Sequence, residues 1–153
     1  MPENLGSLKN LRKLYLSGTT IKELPSLVEG LASLTLFTLK DCWNLLCLPS
    51  TICCLKLLEY IDLSGCSNCD NLPENLGNLK GLKYLYFGGT TIKVLPSSIE
   101  DLKALTFFTL KDCKDFVRLP STICSLKLLE YLDLSGCLNC DNLVENLRNL
   151  KCL

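Results

Sequence analysis

Histidine is absent from this chain of 153 residues, and methionine and tryptophan each occur only once. Histidine is the most common general base, so neither a Ser–His nor a Cys–His nucleophilic pair can be assembled. A nucleophile elbow of the form GxSxG and a phosphate loop of the form GxxxxGK[ST] are also missing. These absences favour a noncatalytic protein, and we expect no catalytic residue, no cofactor and no small-molecule substrate.

The chain also lacks a net charge, because sixteen basic residues balance sixteen acidic ones. A protein without a net positive field has no long-range attraction for a phosphate backbone or an acidic membrane surface. We therefore expect neither nucleic acid nor a membrane as a partner.

No long apolar run is present. The longest stretch without a charged residue, from Cys42 to Leu55, has 14 residues and contains Pro49. It is too short to span a bilayer as a helix. The amino terminus, Met-Pro-Glu-Asn, shows no apolar segment typical of a secretory signal. These features predict a cytoplasmic or nucleocytoplasmic protein.

Cysteine is abundant, with eleven residues, an odd number. A disulfide scaffold requires an oxidising compartment, which nothing in the sequence indicates. We therefore expect most cysteines to pack as small apolar side chains.

The sequence repeats itself without a gap after a shift of 71 residues, and residues 1–71 are identical to residues 72–142 at 49 of 71 positions. A tandem duplication explains this match. Each block contains shorter units of 23 or 24 residues, and six full units begin near residues 8, 31, 55, 79, 102 and 126. We expect residues 1–153 to form a single domain of stacked units, with partial units at both ends.

Each unit carries apolar residues at the spacing LxxLxL, as at Leu58, Ile61 and Leu63 in the third unit. The end of this pattern alternates as a short strand does. Cysteine or threonine follows, and then proline at a fixed phase, where its missing N–H is harmless only outside the paired strand. The pattern predicts an α/β solenoid, curved like part of a horseshoe, with a parallel sheet on the concave face and short helical or 3₁₀ turns on the convex face.

Three phrases are more specific than the spacing: LSGTTIKELPS, LSGCSNCDNLPENLGNL and LPSTICSLKLLEYLDLSGC. They resemble the leucine-rich repeats of plant TIR-type nucleotide-binding disease resistance proteins, and the resemblance covers the whole chain. It implies a protein-binding region that senses pathogen effectors or holds a receptor inactive in the defence response. Since both ends fall inside a unit and lack polar caps, we expect a fragment or a truncated gene product.

Two Cys-x-x-Cys pairs, Cys66 with Cys69 and Cys137 with Cys140, raise the alternative of a zinc or thiol redox protein. The pairs lie three units apart, about 14 Å along the predicted stack, which is too far for four ligands to meet one ion. Cys69 also occupies the position of Leu45 in another unit. Packing is the favoured interpretation, and we expect no metal.

The residues that alternate with the buried strand positions point to solvent and form the candidate binding face. One column reads Lys13, Leu36, Tyr60, Tyr84, Phe107, Tyr131, and the next reads Tyr15, Thr38, Asp62, Tyr86, Thr109, Asp133. All five tyrosines fall in these columns, as expected for a binding surface. Alternatively, aromatic residues suit strands and stack across a sheet without any partner.

Charged residues complete the predicted protein-binding set of the concave face. Lys40 and Asp41 follow one strand, and Lys111 and Asp112 follow another; ordinary solubility explains them equally well. The full set comprises Tyr15, Leu36, Lys40, Asp41, Tyr60, Asp62, Tyr84, Tyr86, Phe107, Thr109, Lys111, Asp112, Tyr131 and Asp133. As single carboxylates without a histidine partner, Asp62 and Asp133 are interpreted as solvated surface residues rather than acid–base catalysts.

The sequence therefore predicts a noncatalytic recognition or autoinhibitory module of an intracellular plant immune receptor. Its expected partner is a pathogen effector, a host protein or another domain of the same receptor. The alternative is a stand-alone cytosolic repeat scaffold for signalling proteins, which is expected to carry its own caps.

Overall fold

The computed structural model describes residues 5–138 and shows the predicted solenoid. Six three-residue strands form one parallel sheet in the order of the chain. The strands are β1 (Lys13–Tyr15), β2 (Leu36–Thr38), β3 (Tyr60–Asp62), β4 (Tyr84–Tyr86), β5 (Phe107–Thr109) and β6 (Tyr131–Asp133). The strands predicted from the LxxLxL spacing are thus confirmed.

Short 3₁₀ turns occupy the opposite side of the solenoid. They are η1 (Leu5–Ser7), η2 (Ser26–Gly30), η3 (Ser50–Cys54), η4 (Leu76–Asn78), η5 (Ser97–Asp101) and η6 (Ser121–Ser125). Each strand and each turn contacts the preceding and following elements of its own kind. No helix in the described part of the chain is long and apolar enough to cross a membrane.

The register of the sheet follows the repeat directly. The central residues of neighbouring strands pair with each other, so that Phe37 lies beside Ile61 and Ile61 beside Leu85. These three side chains are fully buried. A fully buried side chain of this size contributes about 1.5–3 kcal/mol relative to an exposed one, which explains why the apolar spacing sets the register.

The convex turns are anchored by one aliphatic residue in each unit. Val28, Ile52, Leu76, Ile99 and Ile123 are all fully buried. The sixth unit has Leu147 at the same position in the sequence, outside the described residues.

Proline precedes the turns at the predicted phase. Pro49, for example, has φ −67° and stands at the amino-terminal cap of η3. The Pro49 carbonyl accepts the N–H of Ile52 at 3.0 Å. Proline has no N–H to donate, but Pro49 lies outside the strands, so the sheet loses no hydrogen bond.

Lysine fixes the other end of two of the turns. Lys56 Nζ donates to the carbonyl of Cys53 at 3.1 Å, and Lys127 Nζ donates to that of Cys124 at 2.9 Å. These carbonyls are at the carboxyl-terminal ends of 3₁₀ turns, where they have no partner in the turn itself. The lysines that follow each of these turns therefore have a structural role in the solenoid.

Candidate functional site

The two predicted outward columns lie on the solvent side of the sheet, because the first and third residues of each strand face away from the buried middle residue. Parallel pairing keeps each column in line: Tyr60 lies beside Tyr84, and Asp62 lies beside Tyr86. The structure therefore brings the outward strand residues of the predicted set together on one surface.

Five rings of this surface form a continuous series, which we call the aromatic row. Its members are Tyr84, Tyr60, Tyr86, Phe107 and Tyr131. Successive ring centroids are 6.1, 5.1, 4.9 and 4.2 Å apart, and the last pair is stacked with an interplanar angle of 7°. Ring pairs at these separations stabilise a protein by about 0.5–1.5 kcal/mol each beyond the area that they bury.

Exposure divides the row into two kinds of ring. Tyr84 and Tyr131 remain 41% and 46% exposed, whereas the other three rings are half-buried. Tyr15, outside the row, is 63% exposed. Exposed tyrosine offers a large contact area with a polar tip, so the exposed rings are the ones available to a partner.

The prediction that Asp62 is a solvated surface residue was wrong. Asp62 is only 9% exposed, and Thr38 and Thr109 in the same column are 8% exposed. Asp62 lies close to the rings of Tyr60 and Tyr86, and burial, together with the Asp62 carboxylate, raises the pKa of both tyrosines. Asp133, also predicted to be solvated, is partly buried.

The side chains of the second column have a local partner. Asp62 Oδ1 accepts the N–H of Ser64 at 2.8 Å, and Asp133 Oδ1 accepts that of Ser135 at 2.9 Å. Thr109 Oγ1 accepts the N–H of Lys111 in the same way at 3.1 Å. Aspartate and threonine favour such bonds to a backbone N–H two residues on, and they turn the chain at the end of the strand.

Two pKa values reflect this arrangement. Burial, reinforced by the Asp62 carboxylate, raises the pKa of Tyr60 to about 12. The hydrogen bonds from Ser135 lower the pKa of Asp133 below its usual value. Near neutral pH Tyr60 therefore stays protonated and Asp133 stays ionised. An acid–base pair needs pKa values near the working pH, so these shifts fit a contact surface and a turn instead.

Asp41 and Asp112 lie where the other described units have glycine. Both have φ +59°, in the left-handed region, and the glycines at this position have φ between 69° and 78°. Aspartate tolerates this conformation better than most residues. The Asp41 carboxylate lies directly over Gly65, and that of Asp112 over Gly136. These aspartates therefore form turns in addition to any role on the surface.

The cysteines after the strands form a ladder along the stack. Cys66 Sγ donates to the carbonyl of Leu39 in the preceding unit at 3.1 Å, and Cys113 Sγ donates to that of Phe87 at 3.1 Å. Thr90 takes the same position in the fourth unit and contacts Cys113 Sγ at 3.3 Å. The small polarisable side chain thus links neighbouring units without leaving the core.

The geometry around the first Cys-x-x-Cys pair matches packing. Cys66 and Cys69 are fully buried, and burial raises the pKa of each thiol to about 12. A reactive or metal-binding cysteine has a lowered pKa instead. Within residues 5–138, no group of three potential metal ligands occurs. Cys140, from the second pair, lies outside the described residues.

One feature of the face was missed by the sequence patterns. An open pit of about 340 Å³ lies at the end of β4, lined by Ser64, Gly88, Gly89, Thr109, Lys111 and Asp112. We call it the Gly88 pit. The signal for it was present in the sequence, since only the fourth unit has two glycines at this point.

Comparison with known proteins agrees with this architecture. A family described as "Leucine-rich repeat region" matches residues 55–153. Disease resistance protein RPS4B of Arabidopsis thaliana is 43% identical over 56 residues, which cover 37% of this chain and 5% of that protein. Probable disease resistance protein At4g19520 of the same plant is 42% identical over 64 residues, 40% of this chain and 4% of that protein. The chain thus spans a small part of these curated relatives.

Solved structures share the fold over almost the entire length. The Leptospira interrogans LRR protein LIC12759 superposes on 99% of this chain with a TM-score of 0.89 and 28% identity, and the match covers 38% of that protein. The structure of PEPR1-AtPEP1 matches 89% of this chain and 20% of that one, with a TM-score of 0.67 and 27% identity. Repeat folds of this kind typically bind proteins through their extended concave surface. The match to the leucine-rich repeat family covers more than half of the residues of this chain, and the chain therefore belongs to that family.

Proposed function

We propose that this chain is a noncatalytic recognition or autoinhibitory region of a plant immune receptor of the TIR-type nucleotide-binding class, and that it acts in the defence response. Its partner is a protein: a pathogen effector, a host protein, or another domain of the same receptor. We place it in the cytoplasm or in both cytoplasm and nucleus, with residues 1–153 as one repeat domain. The similarity to two Arabidopsis thaliana disease resistance proteins supports this assignment.

The observation that carries the proposal is the aromatic row with its two exposed tyrosines. A sheet that needed rings only for cross-strand stacking gains little from leaving Tyr84 and Tyr131 open to solvent. Contiguous exposed apolar area on a folded protein commonly marks an interaction site. The charged members of the predicted set, such as Lys40 and Lys111, lie beside this row and suit the polar rim of an interface.

The test is a comparison of two double variants. Tyr84→Ala with Tyr131→Ala removes the exposed rings, whereas Leu57→Ala with Leu128→Ala removes two similarly exposed apolar residues that are not in the outward columns. Both are used to capture proteins from plant extracts, with quantitative mass spectrometry of what binds. Loss of two tyrosines at a binding hot spot weakens capture about 10- to 100-fold.

The result separates binding from support of the sheet. We expect the tyrosine variant to lose a protein that the parent and the leucine variant both retain, with an unchanged circular-dichroism spectrum. If the three forms capture the same proteins and only the stability of the tyrosine variant falls, the rings support the sheet and the proposed binding face is wrong. A stand-alone scaffold remains the second candidate, and full-length sequence containing a nucleotide-binding domain argues against it.

A further inference from the structure

The Gly88 pit contains a backbone donor that the fold leaves without an acceptor. In the second, third, fifth and sixth units, the N–H two residues after the strand donates to the side chain of the last strand residue. Examples are Lys40 to Thr38 Oγ1 at 3.3 Å and Ser64 to Asp62 Oδ1 at 2.8 Å. In the fourth unit the last strand residue is Tyr86, whose side chain accepts no such bond. Within the described residues, the Gly88 N–H donates no hydrogen bond.

The first unit shows what makes the fourth different. Tyr15 stands at the equivalent strand position there, but Ser17 replaces Gly88 and its hydroxyl pairs with Thr38 Oγ1 at 3.0 Å. Gly88 has no side chain, so the space above it stays open and forms the pit. The Gly88 N–H therefore faces no acceptor within the described part of the protein, and a ligand that brings an acceptor into the pit can take the place of water on this donor.

The walls of the pit favour a neutral polar group. Lys111 and Asp112 carry opposite charges, and the remaining lining residues are serine, threonine and glycine. An ammonium or carboxylate ligand is attracted by one charged wall residue and repelled by the other. A peptide group is neutral and offers one acceptor and one donor, which match the Gly88 N–H and the Ser64 hydroxyl or Asp112 carboxylate.

The pit is also continuous with the aromatic row. Tyr86 lies two residues before Gly88, about 7 Å along an extended chain, and its ring is 4.9 Å from that of Phe107. An apolar side chain on these two rings leaves the next peptide group of the same ligand within reach of the pit.

From this geometry we propose that the Gly88 pit binds a main-chain peptide group of a protein partner, with the partner's neighbouring apolar side chain on Tyr86 and Phe107. The proposal rests on the proposed function, since it names a subsite of the same face. It assigns the Gly88 N–H as donor to the partner's carbonyl and identifies Tyr86 as the residue whose lack of a local acceptor leaves that donor free.

The experiment uses two small probes that differ in one group. N-acetyl-phenylalanine N-methylamide ends in a peptide group, and N-acetyl-phenylalanine ends in a carboxylate. Each is titrated into the ¹⁵N-labelled chain at neutral pH while amide signals are followed by NMR. Gly18 is the internal control, because it holds the position of Gly89 in the first unit, away from the pit, and its N–H already donates to the carbonyl of Lys40 at 2.8 Å.

We expect the amide probe to move the Gly88 proton downfield in a saturable manner and to leave Gly18 almost unchanged. The carboxylate probe should bind about three- to fivefold more weakly, because its terminal group has no N–H to donate to the Ser64 hydroxyl or the Asp112 carboxylate. An unmoved Gly88 signal, or tighter binding of the carboxylate, would overturn the proposal.

A matched pair of variants isolates the missing acceptor. Tyr86→Thr and Tyr86→Val remove the same ring and have nearly the same shape, but only threonine can accept the Gly88 N–H, as Thr109 accepts that of Lys111. The response of Gly88 should disappear in the threonine variant and persist, weakened, in the valine variant. Equal responses in the two variants contradict the assignment.

Failure here can be told apart from failure of the proposed function. If the probes leave Gly88 unmoved while the Tyr84 and Tyr131 double variant still loses its partner, the pit proposal is wrong and the binding face stands. If that double variant keeps every partner, the binding face itself is wrong.

Discussion

Gly65 and Asp41 form a contact between neighbouring units whose strength can be measured. Gly65 has φ +78°, and a Cβ built there would overlap Asp41 Oδ1 and lie 3.3 Å from Asp41 Cα. The substitution Gly65→Ala therefore introduces two separate costs: a left-handed conformation for alanine and displacement of the Asp41 side chain.

The two costs can be separated with Gly89. Its φ is +70°, and a Cβ there would have its nearest neighbour, Gly65 N, at an ordinary 3.7 Å. Gly89→Ala should lower the free energy of unfolding by only the conformational cost, about 1–2 kcal/mol. Gly65→Ala should cost about 1 kcal/mol more, because Asp41 is pushed from its preferred rotamer. We expect a total of about 2–3 kcal/mol for Gly65→Ala.

A double-mutant cycle supplies the decisive measurement. Asp41→Gly gives the residue that most other units have, and it removes the obstructing carboxylate. Combined with Gly65→Ala, it should recover about 1 kcal/mol of the loss, whereas unconnected sites give additive effects. The assay is urea unfolding followed by circular dichroism, with equal slopes required for all variants. Equal costs at Gly65 and Gly89, or an additive cycle, would refute the contact between Asp41 and Gly65.

Three further predictions concern the core. Leu63→Asp buries an unpaired charge and should destabilise the chain by more than about 4 kcal/mol, whereas Leu57→Asp, at an exposed position, should change the urea midpoint little. Thr51→Val should raise the free energy of unfolding by about 1 kcal/mol, because the buried Thr51 hydroxyl has no partner among the described residues. A decrease of the same size in urea unfolding would argue against this. Burial raises the pKa of Cys69 to about 12, whereas the thiol of the unfolded chain has a pKa of 9.0. The free energy of unfolding should therefore fall by about 1.4 kcal/mol per pH unit as the pH rises through this range. Cys69→Leu should remove this contribution, and parallel pH profiles of parent and variant would contradict it.

The repeat makes the fold unusually readable from sequence. The two 71-residue blocks align without gaps, and the units within them differ in length by only one residue. A residue's position in one unit therefore fixes its position in all, and the spacing alone assigns Phe37, Ile61 and Leu85 to the buried middle of their strands. The same alignment identifies Cys69 as a core residue, since Leu45 occupies its position elsewhere. Periodicity is strongest where one apolar side chain per turn must be buried.

The binding face is less readable, because alternation gives the direction of a side chain and not its exposure. Asp62 faces outward, yet it is buried beside two tyrosine rings. The left-handed turn at Asp41 could have been inferred from the glycines aligned with it, such as Gly65. The free Gly88 N–H depends on what Tyr86 lacks, and only a comparison of hydrogen bonds between units reveals it. Which outward residues contact a partner stays a prediction.

The contacts between units have a consequence for how such a protein changes over time. Strands and turns touch only their neighbours in the stack, and equivalent residues such as Tyr60 and Tyr131 lie 71 positions apart. Unequal recombination between the two blocks would join the start of one to the end of the other, and the new junction would reproduce a pairing that the sheet already contains. A lineage carrying this sequence can therefore lengthen or shorten its surface by three units in one genetic event, while every retained unit keeps a fitting neighbour.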